Sequence, residues 1–171
     1  AQAGAIADDT EGKHAEMAEL IQRKSDELMQ TSEKTRLIEK AVESEDRITY
    51  DLQHVVRNCV ATVRENNPGA DGPISTDVPD IDVQAVPPFP KALRDTIENA
   101  VVYGDAPVEV TATRQDGWAT VIIDDEGPGV PDHELEALER RGETDLTHGS
   151  GAGLWLIYTT IQESRGDISF D

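Results

Sequence analysis

The residues whose types and spacing best suit a chemical function lie in two glycine-bearing turns of the C-terminal half. The first turn, DEGPG at residues 125–129, follows the apolar run 121–123, which predicts a strand. A carboxylate at the end of a strand, such as Asp125, can accept hydrogen bonds from an amino group. Gly127 and Gly129 permit a positive φ and let a ligand approach the backbone. This segment therefore predicts a turn in which Asp125 binds an amino group.

The second turn, GSGAG at residues 149–153, runs directly into the apolar residue Leu154. Its three alternating glycines, Gly149, Gly151 and Gly153, predict a flexible loop that leads into the N-terminus of a helix. Free backbone N–H groups and the helix dipole attract phosphate at such an end. Either turn alone is also typical of an ordinary hairpin or loop, so the inference depends on their order with a third element.

The third element is the segment 93–103, in which Leu93 and Ile97 recur at helical spacing. On such a helix Asp95 and Asn99 lie one turn apart on a shared face. The segment therefore predicts a helix that carries two oxygen ligands and precedes both turns.

Taken in order, these elements resemble the nucleotide site of the GHKL ATPases, and within them the catalytic and ATP-binding domain of a sensor histidine kinase. The resemblance extends from about Asp46 to the C-terminus. It implies a two-layer α/β sandwich with a mixed, mainly antiparallel sheet and helices on one face, preceded by a long helix. Strands paired by hairpins, with helices gathered to one side, indicate the same α+β class.

The resemblance also implies a role for each motif residue, with ATP and Mg²⁺ as the bound molecules. Asn99 is similar to the family's Mg²⁺ ligand, and Asp125 to the carboxylate that recognises adenine. Tyr103 lies one turn beyond Asn99, where the family often has a residue near the nucleotide, but an ordinary core position suits it equally. The other residues expected to contact ATP are Gly127, Gly129, Gly149, Gly151, Gly153 and Leu154.

Asp95 departs from the family pattern, because many histidine kinases have Asn at this point and the water-activating ATPases have Glu. An Asp could bind Mg²⁺ through a water molecule or act as a base toward an attacking nucleophile. Asp95 and Asn99 are therefore the candidate catalytic residues, and both phosphotransfer and hydrolysis stay open.

The segment between the two glycine turns, residues 130–148, is polar and contains Gly142. It predicts a lid over the nucleotide, since lids come from the least stable parts of a fold. The lid lacks the Phe-rich patch that is common in the family. Arg140 and Arg141 could contact phosphate, although a solvated position fits them better.

The N-terminal part predicts one long helix over residues 14–42, which contain no Gly or Pro. Ile21, Leu28, Thr35 and Val42 recur every seven residues, as in a coiled coil. The resemblance identifies this helix as the second helix of a dimerisation hairpin, which implies a homodimer. The alternative is a plain amphipathic helix packed on the domain.

We predict a domain boundary in the polar residues 44–47, between a partial dimerisation region (1–44) and an ATP-binding domain (45–171). Residues 1–12 are predicted to form a loop or a frayed end. The remaining expected elements are helices over 48–63 and 132–140 and strands over 74–78, 82–86, 108–112, 118–123 and 168–170.

None of the four histidines has the position that the family requires of a phosphoacceptor, which lies on the first dimerisation helix. We therefore expect that helix to be absent from this chain. The predicted function is transfer of the ATP γ-phosphoryl group to a histidine, and then to an aspartate of a response regulator. The alternatives are a GHKL-type ATP hydrolase with Asp95 as base, and a degenerate, non-catalytic dimerisation module.

The composition excludes several classes of partner. Fifteen basic residues against 35 acidic ones give a net charge of -20, which argues against nucleic acid and anionic membranes. The single Cys59 excludes an internal disulfide and fits a reducing compartment. The chain has no apolar run of membrane-spanning length and no signal peptide. We expect a cytoplasmic location, which is compatible with a membrane-associated parent protein.

The acidity and the scarcity of lysine also predict a halophilic protein of the haloarchaeal type, because salt screens self-repulsion between like charges. We predict a higher melting temperature in molar KCl than in low KCl. Equal melting temperatures in the two solutions would contradict this prediction.

Overall fold

The computed structural model describes residues 2–69, 72–104, 107–139 and 151–170. These residues form an α+β fold behind a long N-terminal helix, as predicted. The elements in chain order are α1 (Gln2–Glu43), β1 (Ile48–Asp51), α2 (Leu52–Asn66), β2 (Ile74–Asp77), β3 (Asp82–Ala85), α3 (Phe89–Val102), β4 (Val108–Gln115), β5 (Trp118–Asp124), α4 (Asp132–Glu139) and α5 (Gly151–Glu163).

The strands form two small sheets. Strands β1 and β3 pair antiparallel, while β4 lies between β2, to which it is parallel, and β5, to which it is antiparallel. The turn between β4 and β5 has positive φ at both Asp116 (53°) and Gly117 (85°). Two such residues are typical of a type I′ turn, whose twist matches that of the strands it joins. The Asp116-Gly117 pair therefore forms the hairpin turn between β4 and β5.

The main core lies between helices α2 and α3 and the larger sheet. Leu52 and Val63 of α2, Ile97 of α3 and Val110 of β4 are all fully buried. Along β4, Val108, Val110 and Ala112 face this core and alternate with more exposed residues. Each such side chain contributes on the order of 2 kcal/mol through burial, so this core holds α3 firmly against its neighbours.

A second cluster joins α5 to α1 and α3. Leu156 and Ile157 of α5 are buried against Ala92 of α3, and Leu37 and Ile38 of α1 pack on the same cluster. The C-terminal part of α1 is thus attached to the domain, whereas its large apolar side chains between Met17 and Met29 are exposed. Among the described residues, no helix combines the length and the apolarity needed to cross a membrane.

Cys59 lies on the buried face of α2, in the main core. Its Sγ donates a hydrogen bond to the carbonyl oxygen of Pro90 at 3.4 Å. Burial raises the pKa of the Cys59 thiol to about 11, since a thiolate would be desolvated there. The thiol is therefore protonated at neutral pH and inert while the fold is intact.

Three local predictions are wrong. Helix α1 begins at Gln2, because the alanine-rich residues 2–7 favour helix rather than a loop. Ile48 lies in strand β1 and not in the following helix, which Asp51 caps by accepting a hydrogen bond from the His54 N–H at 2.8 Å. Residues 168–170 form no strand, since none of the described strands pairs with them.

The cap at Asp51 yields a stability prediction. Replacing Asp51 with Ala leaves the His54 N–H without its acceptor and should lower the free energy of unfolding by about 1 kcal/mol. Asp82→Ala is the matched control, because Asp82 faces Asp51 across the β1–β3 ladder and its loss removes the same charge. Urea unfolding should show a loss only in Asp51→Ala, and equal losses in both variants would contradict the capping role.

Candidate functional site

Helix α3 carries the candidate residues Asp95 and Asn99, one turn apart. It begins at Phe89, with Pro90 in its first turn. Proline is tolerated there because the N–H groups of a first turn have no acceptor within the helix. Because Ile97 is anchored in the core, the rotation of the helix is set by packing. The positions of the two polar residues are therefore fixed, and Asn99 lies close to Gly153 of α5.

Asp95 is almost fully buried, and its carboxylate is already paired. Both of its oxygens accept hydrogen bonds from the Nζ of Lys91, one turn earlier on α3. The Nε of Arg94 lies 3.9 Å from one of these oxygens. The sequence prediction placed Asp95 with Asn99 as an open oxygen ligand, but the structure turns Asp95 into an intrahelical ion pair.

Asp125 directly follows β5 and is partly buried. Its Oδ1 accepts a hydrogen bond from the N–H of Gly127 at 2.8 Å. Gly129 has a φ of 73°, in the left-handed region that favours glycine. The predicted turn is present, and Gly127 uses its amide to orient the carboxylate.

Gly104 is a site residue that the sequence interpretation missed. A Cβ at this position would lie 2.4 Å from the carbonyl oxygen of Ala100 and 2.5 Å from Oδ1 of Asp125. Only glycine fits, so the end of α3 contacts the Asp125 carboxylate directly. The one available signal was the Tyr-Gly pair after the helical stripe, because glycine commonly follows the end of a helix.

Tyr103, which precedes Gly104, is 73% exposed. The alternative that Tyr103 is an ordinary core residue is therefore wrong. Its side chain is thus accessible to a bound molecule, and it directly precedes Gly104 in the sequence.

Gly153 of α5 lies close to two polar side chains, those of Asn99 on α3 and Lys34 on α1. A Cβ built on the buried Gly153 would lie 3.3 Å from the Nζ of Lys34 and 3.8 Å from the Nδ2 of Asn99. Three helices, α1, α3 and α5, therefore bring polar groups to one point. Lys34 was not singled out in the sequence, since it occupies one charged position among many on α1.

The glycine turn before α5 differs from the prediction. Gly151 and Gly153 lie in the first turn of α5 rather than in a loop, and Leu154 is buried. The N–H groups and the dipole at the N-terminus of a helix attract anions. Gly149 and the lid residues 140–148, including Arg140 and Arg141, lie outside the described residues.

The described residues near Asn99 offer amide and backbone groups to a ligand rather than a cluster of metal-binding side chains. Among the described residues, no group of three His, Cys, Asp or Glu side chains could hold a metal. Mg²⁺ bound with a nucleotide usually takes only one or two protein ligands, because phosphates and waters complete its coordination. The amide oxygen of Asn99 can serve as one such ligand.

Comparison with known proteins agrees with this arrangement. Residues 87–171 match the family of histidine kinase-, DNA gyrase B- and HSP90-like ATPases, HATPase_c. The sensor-type histidine kinase PrrB of Mycobacterium tuberculosis is 36% identical over 108 residues, which cover 54% of this chain and 24% of that protein. The sensor histidine kinase CpxA of Escherichia coli is 34% identical over 81 residues, which cover 44% of this chain and 18% of that protein. The chain thus spans less than a quarter of the length of either relative.

Solved structures show the same fold. The Acinetobacter baumannii histidine kinase AdeS has a TM-score of 0.59 at 20% identity, covering 80% of this chain and 66% of that one. The mycobacterial sensor histidine kinase MprB has a TM-score of 0.57 at 23% identity, covering 70% of this chain and 80% of that one. The family model and the sequence relatives together support an HATPase_c domain similar to those of sensor histidine kinases, and the solved structures show the fold. The relatives named here are bacterial, so the haloarchaeal assignment gains no support.

The Gly104–Asp125 contact yields a second stability prediction. Gly104→Ala should lower the free energy of unfolding by about 1–3 kcal/mol, because the new methyl group must displace the Asp125 carboxylate or the end of α3. Gly69→Ala is the control, since a Cβ there meets no atom within 4 Å. Denaturant unfolding measures both, and an unchanged Gly104→Ala would contradict the close approach.

Proposed function

We propose that this chain is the ATP-binding catalytic part of a two-component sensor histidine kinase. The observation that carries the proposal is the Asp125 carboxylate, oriented by the Gly127 amide and seated against Gly104. A carboxylate acts only as an acceptor, so it suits the exocyclic amino group of adenine. Gly129, with its left-handed backbone, lets the base lie close to the main chain.

The phosphates of ATP would extend from Asp125 toward Asn99 and the first turn of α5. Asn99 would hold Mg²⁺, which when bound neutralises phosphate charge during transfer. The N–H groups from Gly151 onward would bind phosphate oxygens, with Gly149 as a further proposed contact. Catalysis in such a site consists mostly of positioning and charge stabilisation.

The state of Asp95 favours phosphotransfer over hydrolysis. A general base must lie within hydrogen-bond reach of the proton it removes, so it needs access to the attacking group. Both oxygens of Asp95 are held by Lys91, and the side chain is only 7% exposed. Asp95 therefore positions Lys91 on α3. The hydrolase alternative would be marked by phosphate release that disappears in Asp95→Asn.

The acceptor of the phosphoryl group would be a histidine on a separate helix, and the next acceptor an aspartate of a response regulator. We assign the acceptor role to none of the four histidines of this chain. A cytoplasmic location follows from this proposal, because both ATP and response regulators are found in the cytoplasm.

We further propose that α1 dimerises with a second copy of itself. Its apolar residues Ile21, Leu28 and Met29 are 60–72% exposed. Residues 44–47 have no regular structure and would form the boundary between the region 1–44 and the ATP-binding domain 45–171. A degenerate module that only dimerises would share these features but would bind no nucleotide.

Calorimetric titration with ATP and Mg²⁺ in molar KCl tests the proposal. We expect binding with a Kd in the micromolar range, weakened at least ~30-fold in Asp125→Asn, because the amide places donors against the adenine amino group. Asp124→Asn is the matched control, since the neighbouring side chain is exposed on the opposite side of β5. The proposal fails if the native chain, with a cooperative thermal melt, binds no ATP. It also fails if the two variants bind alike.

A further inference from the structure

We propose that Lys34 of helix α1 is a phosphate-binding residue of the nucleotide site and links α1 to the bound nucleotide. This inference rests on the proposed function. Lys34 lies outside residues 87–171, the segment that matches the ATPase family, so the match itself assigns it no role. What places it at the site is the packing of α1 against α5.

The geometry brings Lys34 to the point where phosphate is expected. Its Nζ and the Nδ2 of Asn99 both lie within 3.8 Å of the position that a Cβ of Gly153 would occupy. The first turn of α5, which begins at Gly151, adds backbone N–H groups that have no acceptor within the helix. An ammonium, a carboxamide and helix-end amides are the groups that hold phosphate oxygens.

Gly153 is informative because glycine is unfavourable inside a helix, by about 1 kcal/mol relative to alanine. Here the missing side chain leaves room for the end of Lys34, which would be crowded at 3.3 Å by an added Cβ. The glycine thus allows an ammonium on one helix to approach the backbone of another. This contact explains a helical glycine that the sequence pattern assigned to a loop.

Within the described part of the chain, no carboxylate lies close enough to form an ion pair with Lys34. Lys24 pairs with Glu27 and Lys91 with Asp95, whereas Lys34 has no ion pair with any described residue. The chain carries 35 acidic residues and 15 basic ones. Its overall field repels an anionic nucleotide, so a local unpaired ammonium has a large effect on phosphate affinity.

The position of Lys34 also couples two parts of the molecule. Leu37 and Ile38, on the next turn of α1, pack on the cluster around Leu156 of α5. A displacement of α1 relative to α5 would move these residues and withdraw Lys34 from Gly153. Nucleotide affinity would then depend on the position of α1, and bound phosphate would in turn favour the docked helix.

The test compares ligands that differ only in phosphate. Calorimetry with adenosine, ADP and ATP, the nucleotides with Mg²⁺, is carried out on the full chain and on Lys34→Gln. We expect ATP affinity to fall about tenfold in the variant while adenosine affinity stays within about twofold. The ATP affinity of the variant should also depend less on KCl concentration, since one screened charge contact is lost.

Two further variants separate a phosphate contact from simple packing. Lys40→Gln removes the same charge from an exposed position on the same helix and should leave ATP affinity unchanged. Lys34→Arg retains the charge and should keep most of the ATP affinity. A thermal melt of each variant establishes that it is folded.

The outcomes are distinct. If the native chain binds adenosine and ATP and Lys34→Gln binds both equally well, the Lys34 assignment is overturned and the nucleotide site stands. If Lys34→Gln lowers the melting temperature but leaves the ratio of ATP to adenosine affinity unchanged, the Lys34 assignment is also overturned. Lys34 would then contribute only to the packing of α1. If the native chain binds neither ligand, the proposed function fails, and this inference fails with it.

Discussion

Apolar packing on two sides of helix α3 is the constraint on which the rest of the site depends. Leu93 and Ile97 anchor the helix in the main core with α2, and Ala92 meets Leu156 of α5 in the second cluster. A helix held on two sides cannot rotate, because either rotation would expose buried surface. The polar residues of α3 are therefore fixed in position before any ligand binds.

The fixed position of α3 determines two contacts of the site, one with Asp125 and one with Gly153. Toward its C-terminal end, α3 delivers Gly104 against the Asp125 carboxylate, and on its α5 side it places Asn99 beside Gly153. In both contacts a glycine allows a side chain from another element to approach a main chain closely. Tight sites of this kind bind ligands well because little reorganisation remains to be done on binding.

Much of this architecture could be predicted from local patterns in the sequence. Periodicity predicts the buried stripe of α2 and the alternation along β4, and turn chemistry predicts the Asp116-Gly117 turn. Both signals depend only on residues that are close together in the sequence. Ile48 was misassigned because it continues the helical spacing of α2, and only the pairing of β1 with β3 makes it a strand residue.

The least predictable features are contacts between elements that are far apart in the sequence. Nothing in the residues around Lys34 indicates that α1 returns to α5, and the Gly104–Asp125 contact depends on how α3 meets the end of β5. The Lys91–Asp95 pair, by contrast, has the i,i+4 spacing of a helical ion pair and was open to prediction.

The most direct test of the central claim is an NMR titration of the isotope-labelled chain with a non-hydrolysable ATP analogue and Mg²⁺. The account predicts that the largest shifts arise at the backbone amides of Gly104, Gly127 and Gly129 and at the side-chain amide of Asn99, all with one shared Kd. Shifts confined to α1, or scattered over the surface without saturation, would contradict a nucleotide site at this position.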